Sequence, residues 1–235
     1  MLMNPNQATS AGQPSWPQAL LLGMLMVLPW IQPWSPSPQP NTVPLLISWA
    51  CIACLMVWGQ AIKPLDIARA WAVAALISSS MGLIQYFGAD AALSPWLHVT
   101  GTVGEAAANL RQRNQLATLL AMGILSVLWW HAHGLMARHA GWMLALLAAG
   151  NAATASRTGL LHMLLIVGLV AFWAYRSRFE AHRLSARLAV WALVIYLFSI
   201  PLAFFVLVFL SSLIGTAIAD EGGLVRIGCN RYPLR

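Results

Sequence analysis

The sequence predicts an all-α, polytopic transmembrane helical bundle of about seven spans. Three observations predict it. The chain is 60% apolar and only 8% charged, whereas a soluble domain carries about 25% charged residues. Its apolar runs are long enough for membrane helices and do not alternate polar with apolar positions, as barrel strands would. Of the twelve tryptophans, Trp16, Trp30, Trp34, Trp49, Trp58, Trp129 and Trp130 fall mostly near the ends of those runs, where interfacial aromatic belts form.

The expected spans, in order, are 17–34, 43–62, 68–88, 114–131, 140–155, 159–175 and 188–213. The amino terminus holds no Lys or Arg, so it lacks the basic region of a signal peptide and the first run is read as a retained helix. Pro29 is expected to interrupt it, with WSPSPQPNT as a short rigid loop after it. Cys51 and Cys54 form a CxxC inside the second run, where they read as small buried residues rather than a redox pair; Cys229 stands alone near the end. Ser78, Ser79 and Ser80 in the third run are expected to bond between helices or to their own backbone. The fifth run, LALLAAGNAATA, is rich in small residues, which let neighbouring helices approach closely in lipid. No internal repeat is visible, as a transporter with inverted repeats would show.

Lys and Arg in the loops orient the chain. One set of loops carries Lys63, Arg69, Arg138, Arg176, Arg178, Arg183 and Arg187; the other carries Arg111, Arg113 and Arg157, with Arg226, Arg231 and Arg235 in the tail. The first set is placed in the cytoplasm. This gives a cytoplasmic tail over 1–16, a transmembrane domain over 17–213 with an outward loop at 89–113, and an outward tail over 214–235. The net charge of +7 then reflects topology in a protein whose partner is membrane lipid; no nucleic acid is expected. His131, His133 and His139 lie on the inner side, and HAH spacing is a poor metal signal. His162, a turn inside the sixth run, is a weak site candidate.

The stretch NLRQRNQLATLL, residues 109–120, places Arg111 and Arg113 just before an apolar run, and Arg157 sits in ASRTG. With this orientation both following helices start at the outer face. A helix amino terminus attracts anions, and arginine adds a planar fork that fits phosphate oxygens. Arg111, Arg113 and Arg157 are therefore the candidate diphosphate-binding residues. Asn109, Gln112, Asn114, Gln115, Ser156 and Thr158 are supporting polar groups, with Asn114 and Ser156 as expected N-caps. The plainer alternative is that these arginines snorkel to lipid headgroups. No catalytic residue and no metal ligand is assigned.

Both stretches resemble the bacterial O-antigen ligase and O-antigen polymerase superfamily, closest to its protein-glycosylating branch, the pilin O-oligosaccharyltransferases. Members of that branch carry a similar N-L-R-Q-x-N-x-x-A-T-L segment, here Asn109 to Leu119, and a similar S-R-T/G segment, here Ser156 to Thr158. The resemblance implies a multi-pass inner-membrane enzyme that takes a glycan from undecaprenyl diphosphate at the periplasmic face and passes it to an acceptor hydroxyl, with arginines holding the diphosphate. The implied acceptors are a protein such as pilin, at Ser or Thr, and next lipid A-core. No cofactor, nucleotide sugar or metal is implied.

The chain departs from the family after the seventh span. Members continue into a large periplasmic loop with an important histidine, whereas EGGLVRIGCNRYPLR begins similarly and then loses the likeness. The expectation is a truncated or frameshifted amino-terminal portion, inactive alone and without an identifiable general base; His98 is outward but lies in a different loop. The alternatives are a non-catalytic or transport membrane protein handling lipid-linked glycans, or a structural subunit. A transporter would place charges near the midplane of its spans, and here they cluster at the ends.

Overall fold

The computed structural model describes residues 16–33, 42–59, 62–100, 103–134, 138–176 and 180–220. Trp34, most of WSPSPQPNT, Arg178, Arg226, Cys229, Arg231 and Arg235 lie outside the described residues. The described residues form seven α-helices: α1 Trp16–Ile31, α2 Thr42–Trp58, α3 Pro64–Tyr86, α4 Arg113–Ala132, α5 Ala140–Ala153, α6 Arg157–Arg176 and α7 Glu180–Asp220. Each expected span is a helix, so the all-α bundle stands. Four helices are long and apolar enough to cross a membrane: α3, α4, α6 and the Ser185–Leu202 part of α7. α1, α2 and α5 are shorter apolar helices. α5, with 14 residues, rises about 21 Å, short of a hydrocarbon core of about 30 Å.

The boundaries follow local chemistry. Pro64 opens α3, where its missing N–H costs nothing, and the Asp66 carboxylate accepts the Lys63 N–H at 3.2 Å. Pro29 does not interrupt α1 as expected; it lies inside the last turns and the helix continues to Ile31. α7 runs well past the expected 188–213 in both directions, carrying Pro201 within it.

Packing centres on α3, which meets α4, α1 and α5. Its buried face is a run of small residues: Ala68, Ala72, Ala75, Ser79 and Gly82. Small side chains matter here because lipid supplies no hydrophobic drive between helices, so close van der Waals approach must. Gly150 of α5 lies directly against Ser79, where an added Cβ would sit 3.2 Å from the Ser79 Cα and run into its Oγ. Gly123 of α4 lies likewise against the Ala75 methyl. Two of the three serines behave as expected: Ser79 Oγ donates to the Leu146 carbonyl of α5 at 2.7 Å, and Ser80 Oγ to its own helix at Leu76, 3.0 Å; Ser78 Oγ, buried, has no hydrogen-bond partner among the described residues. Outside this core the surface is apolar. Trp142 is 81% and Tyr175 90% exposed, as suits a lipid-facing surface.

Gly150→Ala is expected to lower the midpoint of thermal unfolding in detergent, because overpacking a tight contact costs about 1–3 kcal/mol. Gly168→Ala, where an added Cβ meets nothing, is the control that stays near wild type.

Helix ends alternate. The carboxyl ends of α1, α3 and α5 and the amino ends of α4 and α6 share one end of the bundle, tied by Asn109 Nδ2 to the Ile31 carbonyl at 2.9 Å, Ala106 N–H to the Ala153 carbonyl at 3.1 Å, and Ser156 Oγ to Asn114 Oδ1 at 2.7 Å. At the opposite end the His131 ring meets Ser185 Oγ at 3.3 Å. This up-and-down order gathers the segments that carry Arg111, Arg113 and Arg157 at one end.

Candidate functional site

The connection between α3 and α4 is an ordered cap over that end, built on three buried polar side chains. Gln85, fully buried in the last turn of α3, accepts the Ala107 N–H at 3.0 Å and the Ala108 N–H at 2.6 Å. It donates to the carbonyls of His98 at 2.7 Å and Ala108 at 3.2 Å. Asn109 accepts the His98 N–H at 2.9 Å and donates to the Trp96 and Ile31 carbonyls at 2.9 Å each. Asp90 accepts the Thr100 N–H at 2.8 Å, the Thr100 hydroxyl at 3.1 Å and the Ala91 N–H at 3.0 Å. An irregular segment has no ladder of its own, so these side chains satisfy its backbone.

The cap delivers Arg111. A 3-10 turn over Ala108–Leu110 ends at Arg111, whose φ of 57° and ψ of 5° are left-handed. Ala108 at φ 50° and Ala155 at φ 48°, one residue before Ser156, share that strained region. Non-glycine residues avoid it at a cost of about 1–2 kcal/mol, and such strain concentrates where geometry is over-determined.

Arg111 is half-buried. It makes no ion pair among the described residues, and burial lowers its guanidinium from the ordinary value without removing the charge. It lines two clefts. One, of about 800 Å³, runs between α1, α2, α3 and α4; its walls are apolar, among them Leu25, Trp30, Ile52, Leu55 and Trp71, and its polar end holds Gln32, Asn109, Arg111, Gln115 and Thr118. The other, of about 400 Å³, is polar and lined by His98, Thr100, Glu105, Gln112, Arg113 and the backbone of the cap. Arg111 is the shared wall.

The other expected site residues divide. Arg113 is exposed and paired with Glu105 at 3.2 Å, a surface ion pair of small energetic worth. Gln112 and Gln115 are exposed at the mouths of the polar and apolar clefts respectively. Asn114 is not an N-cap: the N-cap of α4 is Gln112, two residues earlier, and Asn114 instead accepts from Ser156. Ser156 does cap α6, its Oγ accepting the Thr158 N–H at 3.2 Å, so it ties two helix starts together. Arg157 opens α6, exposed, and lines neither cleft. Asn109, expected beside the arginines as a ligand, is 6% exposed with both amide hydrogens already donated; its work is structural.

Sequence reasoning missed the roles of Gln85 and Asp90, and the placing of His98 in the cleft of Arg111. The one available signal was a glutamine and an aspartate flanking the turn out of an apolar run, where a polar side chain needs partners.

Two titrating groups govern the cap. Burial alone would raise the Asp90 carboxyl, but hydrogen bonds from Thr100 and Ala91 outweigh it and hold the group below 3.8. His98 is lowered from 6.5 by burial and then by the Arg111 charge, against a smaller opposing pull from Asp90. In both cases the opened cap binds more protons than the closed one over the affected range, so closure strengthens with pH. The His98 contribution is complete above 6.5 and is lost as pH falls through its depressed value. The Asp90 contribution is complete above 3.8 and lost at still lower pH. Hydrogen exchange of the amides in residues 88–100 is expected to accelerate at acid pH, beyond the intrinsic pH effect, and less so in His98→Gln.

A family model described as "Protein glycosylation ligase" matches residues 106–131, the end of the cap, Arg111 and nearly all of α4. No curated protein and no solved structure matches the chain. The chain is thus an α-helical membrane protein whose Arg111 segment is similar to that of the protein glycosylation ligases, and this similarity supports the resemblance to O-oligosaccharyltransferases.

Proposed function

We propose that this protein handles a glycan carried on undecaprenyl diphosphate and transfers it to an acceptor hydroxyl, a protein Ser or Thr such as one on pilin first and lipid A-core next, at the periplasmic face of the inner membrane. The observation that carries the reading is Arg111, a half-buried cation without an ion pair at the junction of an apolar and a polar cleft. A lipid diphosphate has three parts in the same order: an apolar tail, a double anion and a polar glycan. The apolar cleft suits the tail, the Arg111 fork suits the phosphate oxygens, and the polar cleft suits the sugar and the incoming hydroxyl. Arg113 and the amino end of α4 add positive potential at the same place. Arg157, on the neighbouring helix start, meets the outer phosphate or the glycan rather than the buried part of the ligand.

Arg111 acts electrostatically in this scheme. As the bond from the anomeric carbon to the phosphate oxygen breaks, negative charge grows on the leaving diphosphate, and a cation already in place stabilises it without reorganisation. A transporter is not favoured, since the described cations stand at helix ends and in loops.

The test uses residues 1–235 in lipid nanodiscs. Undecaprenyl diphosphate is expected to bind and undecaprenol to bind far more weakly, read by native mass spectrometry. Equal binding of the diphosphate and the alcohol overturns the reading.

A further inference from the structure

α4 is the most enclosed of the four long spans. From Gln115 to Trp129 its exposed side chains are Gln115, Thr118, Leu125 and Trp129, with Met122 half-buried between them. Spacings of three and four put all five on one face, so a single open stripe follows the helix away from the Arg111 end. Its first part, Gln115 and Thr118, lines the apolar cleft that ends at Arg111. Its second part, Met122, Leu125 and Trp129, lines another cleft of about 830 Å³ between α3, α4, α6 and the start of α7. Leu169 and Trp173 of α6 form the far wall of that second cleft. Ile67 and Trp71 of α3 line both clefts, so the two meet there.

Resting on the function proposed above, we infer that this second cleft binds the distal isoprene units of the lipid diphosphate, so that the polyprenyl tail crosses the membrane along α4 instead of lying free in the bilayer. Length argues for a polyprenyl over a phospholipid. The 20 residues of α4 rise about 30 Å, the thickness of a whole hydrocarbon core. A phospholipid acyl chain is about one leaflet long, half of that core. With its phosphate at Arg111 it would end inside the first cleft. An undecaprenyl chain is longer than the core is thick, and it reaches through both.

The lining suits such a chain. Thr118 Oγ1 donates to the Asn114 carbonyl at 2.9 Å and Ser126 Oγ to the Met122 carbonyl at 2.8 Å. These hydroxyls are turned to their own helix, which leaves the path along α4 apolar. Trp71, Trp129 and Trp173 line the second cleft and offer broad aromatic faces to the flat, methyl-bearing double-bond segments of a polyprenyl. Moving a tail from lipid into a protein groove gains no hydrophobic free energy. The second cleft therefore adds little affinity. It adds direction, because a tail held along one face of α4 leads the diphosphate to Arg111 by a single path.

The experiment is photocrosslinking of residues 1–235 in lipid nanodiscs, with adducts mapped by mass spectrometry. The probe is undecaprenyl diphosphate carrying a diazirine near the middle of its tail. Adducts are expected on the second cleft, at Leu125, Trp129, Leu169 or Trp173. They should be about tenfold more frequent than with undecaprenol bearing the same group at equal mole fraction, the ratio that one charge-assisted contact at the head supplies. The alcohol should label the general lipid-facing surface, including the exposed Trp142 and Tyr175. Farnesyl diphosphate with a diazirine at its end is too short to pass Ile67 and Trp71, and should label Leu25 or Ile52 of the first cleft instead. Two results overturn the inference while the diphosphate still binds in preference to the alcohol: adducts of the long diphosphate spread as the alcohol's are, or adducts of the farnesyl probe on the second cleft as often as those of the long one. Binding that does not distinguish the diphosphate from the alcohol overturns the functional reading as well, so the two failures are distinct.

Discussion

Arg111→Lys will weaken retention of undecaprenyl diphosphate by about tenfold to a hundredfold, the equivalent of one or two charge-assisted hydrogen bonds. Lysine keeps the charge but replaces a rigid planar fork with a mobile point donor. Because the cation is half-buried and shared by two clefts, the geometry of its donors matters more than its sign. Arg113→Lys should change binding less than threefold, since that side chain is exposed and paired with Glu105. A third variant separates fold from ligand. Arg111→Gly suits the left-handed backbone that arginine strains to adopt, so it should fold at least as stably as wild type while losing the lipid diphosphate altogether. Tryptophan quenching or native mass spectrometry with the diphosphate and the alcohol side by side checks all three. If Arg111→Lys binds as wild type does, Arg111 only anchors the protein to headgroups, which is the plainer role that arginines at helix ends play.

Gln85→Leu will open the cap without unfolding the bundle. The substitution keeps roughly the side-chain size in a fully buried position, but it strips partners from the Ala107 and Ala108 N–H groups and the His98 and Ala108 carbonyls. Each buried group left unsatisfied costs about 1–3 kcal/mol, so the cheaper outcome is for residues 98–111 to swing out and take water. Exchange of the amides of Ala107 and Ala108 should rise by orders of magnitude, while the amides of α4 and α5 stay protected. Proteases should gain a cut in the cap. Donor binding should fall with the fold of the helices retained. Gln85→Ala should behave alike, whereas Asn109→Ala, which loses fewer bonds to the cap but also its tie to α1, should loosen α1 as well. Protection of the cap equal to wild type in Gln85→Leu would mean that backbone and water satisfy it unaided.

The sequence by itself determined that this is a membrane bundle, where its helices lie, and where its chemistry concentrates. Apolar content, run length and the scarcity of charge decide a helical membrane fold because the hydrocarbon core admits little else. The small residues of α5 were legible for the same reason, since close approach needs them; the matching small face of α3 came only with the structure. The NLRQRN stretch stood out as polar groups with no business in lipid. What the sequence left open was how these polar residues divide their work. Asn109, Arg111, Arg113 and Asn114 look alike along the chain, yet one fastens the cap, one lines both clefts, one sits in a surface ion pair and one ties α4 to α6. That division depends on partners 8 to 78 residues away, and no local pattern encodes such pairings. The apolar cleft likewise exists only because α1 packs on α3 and carries α2 beside it, and the sharing of one cleft by His98 and Arg111 only because Gln85 and Asn109 fold the loop back on itself. Local periodicity fixes which face of a helix is apolar; the satisfaction of buried polar groups, a property of the assembled chain, decides which polar residues remain for a ligand.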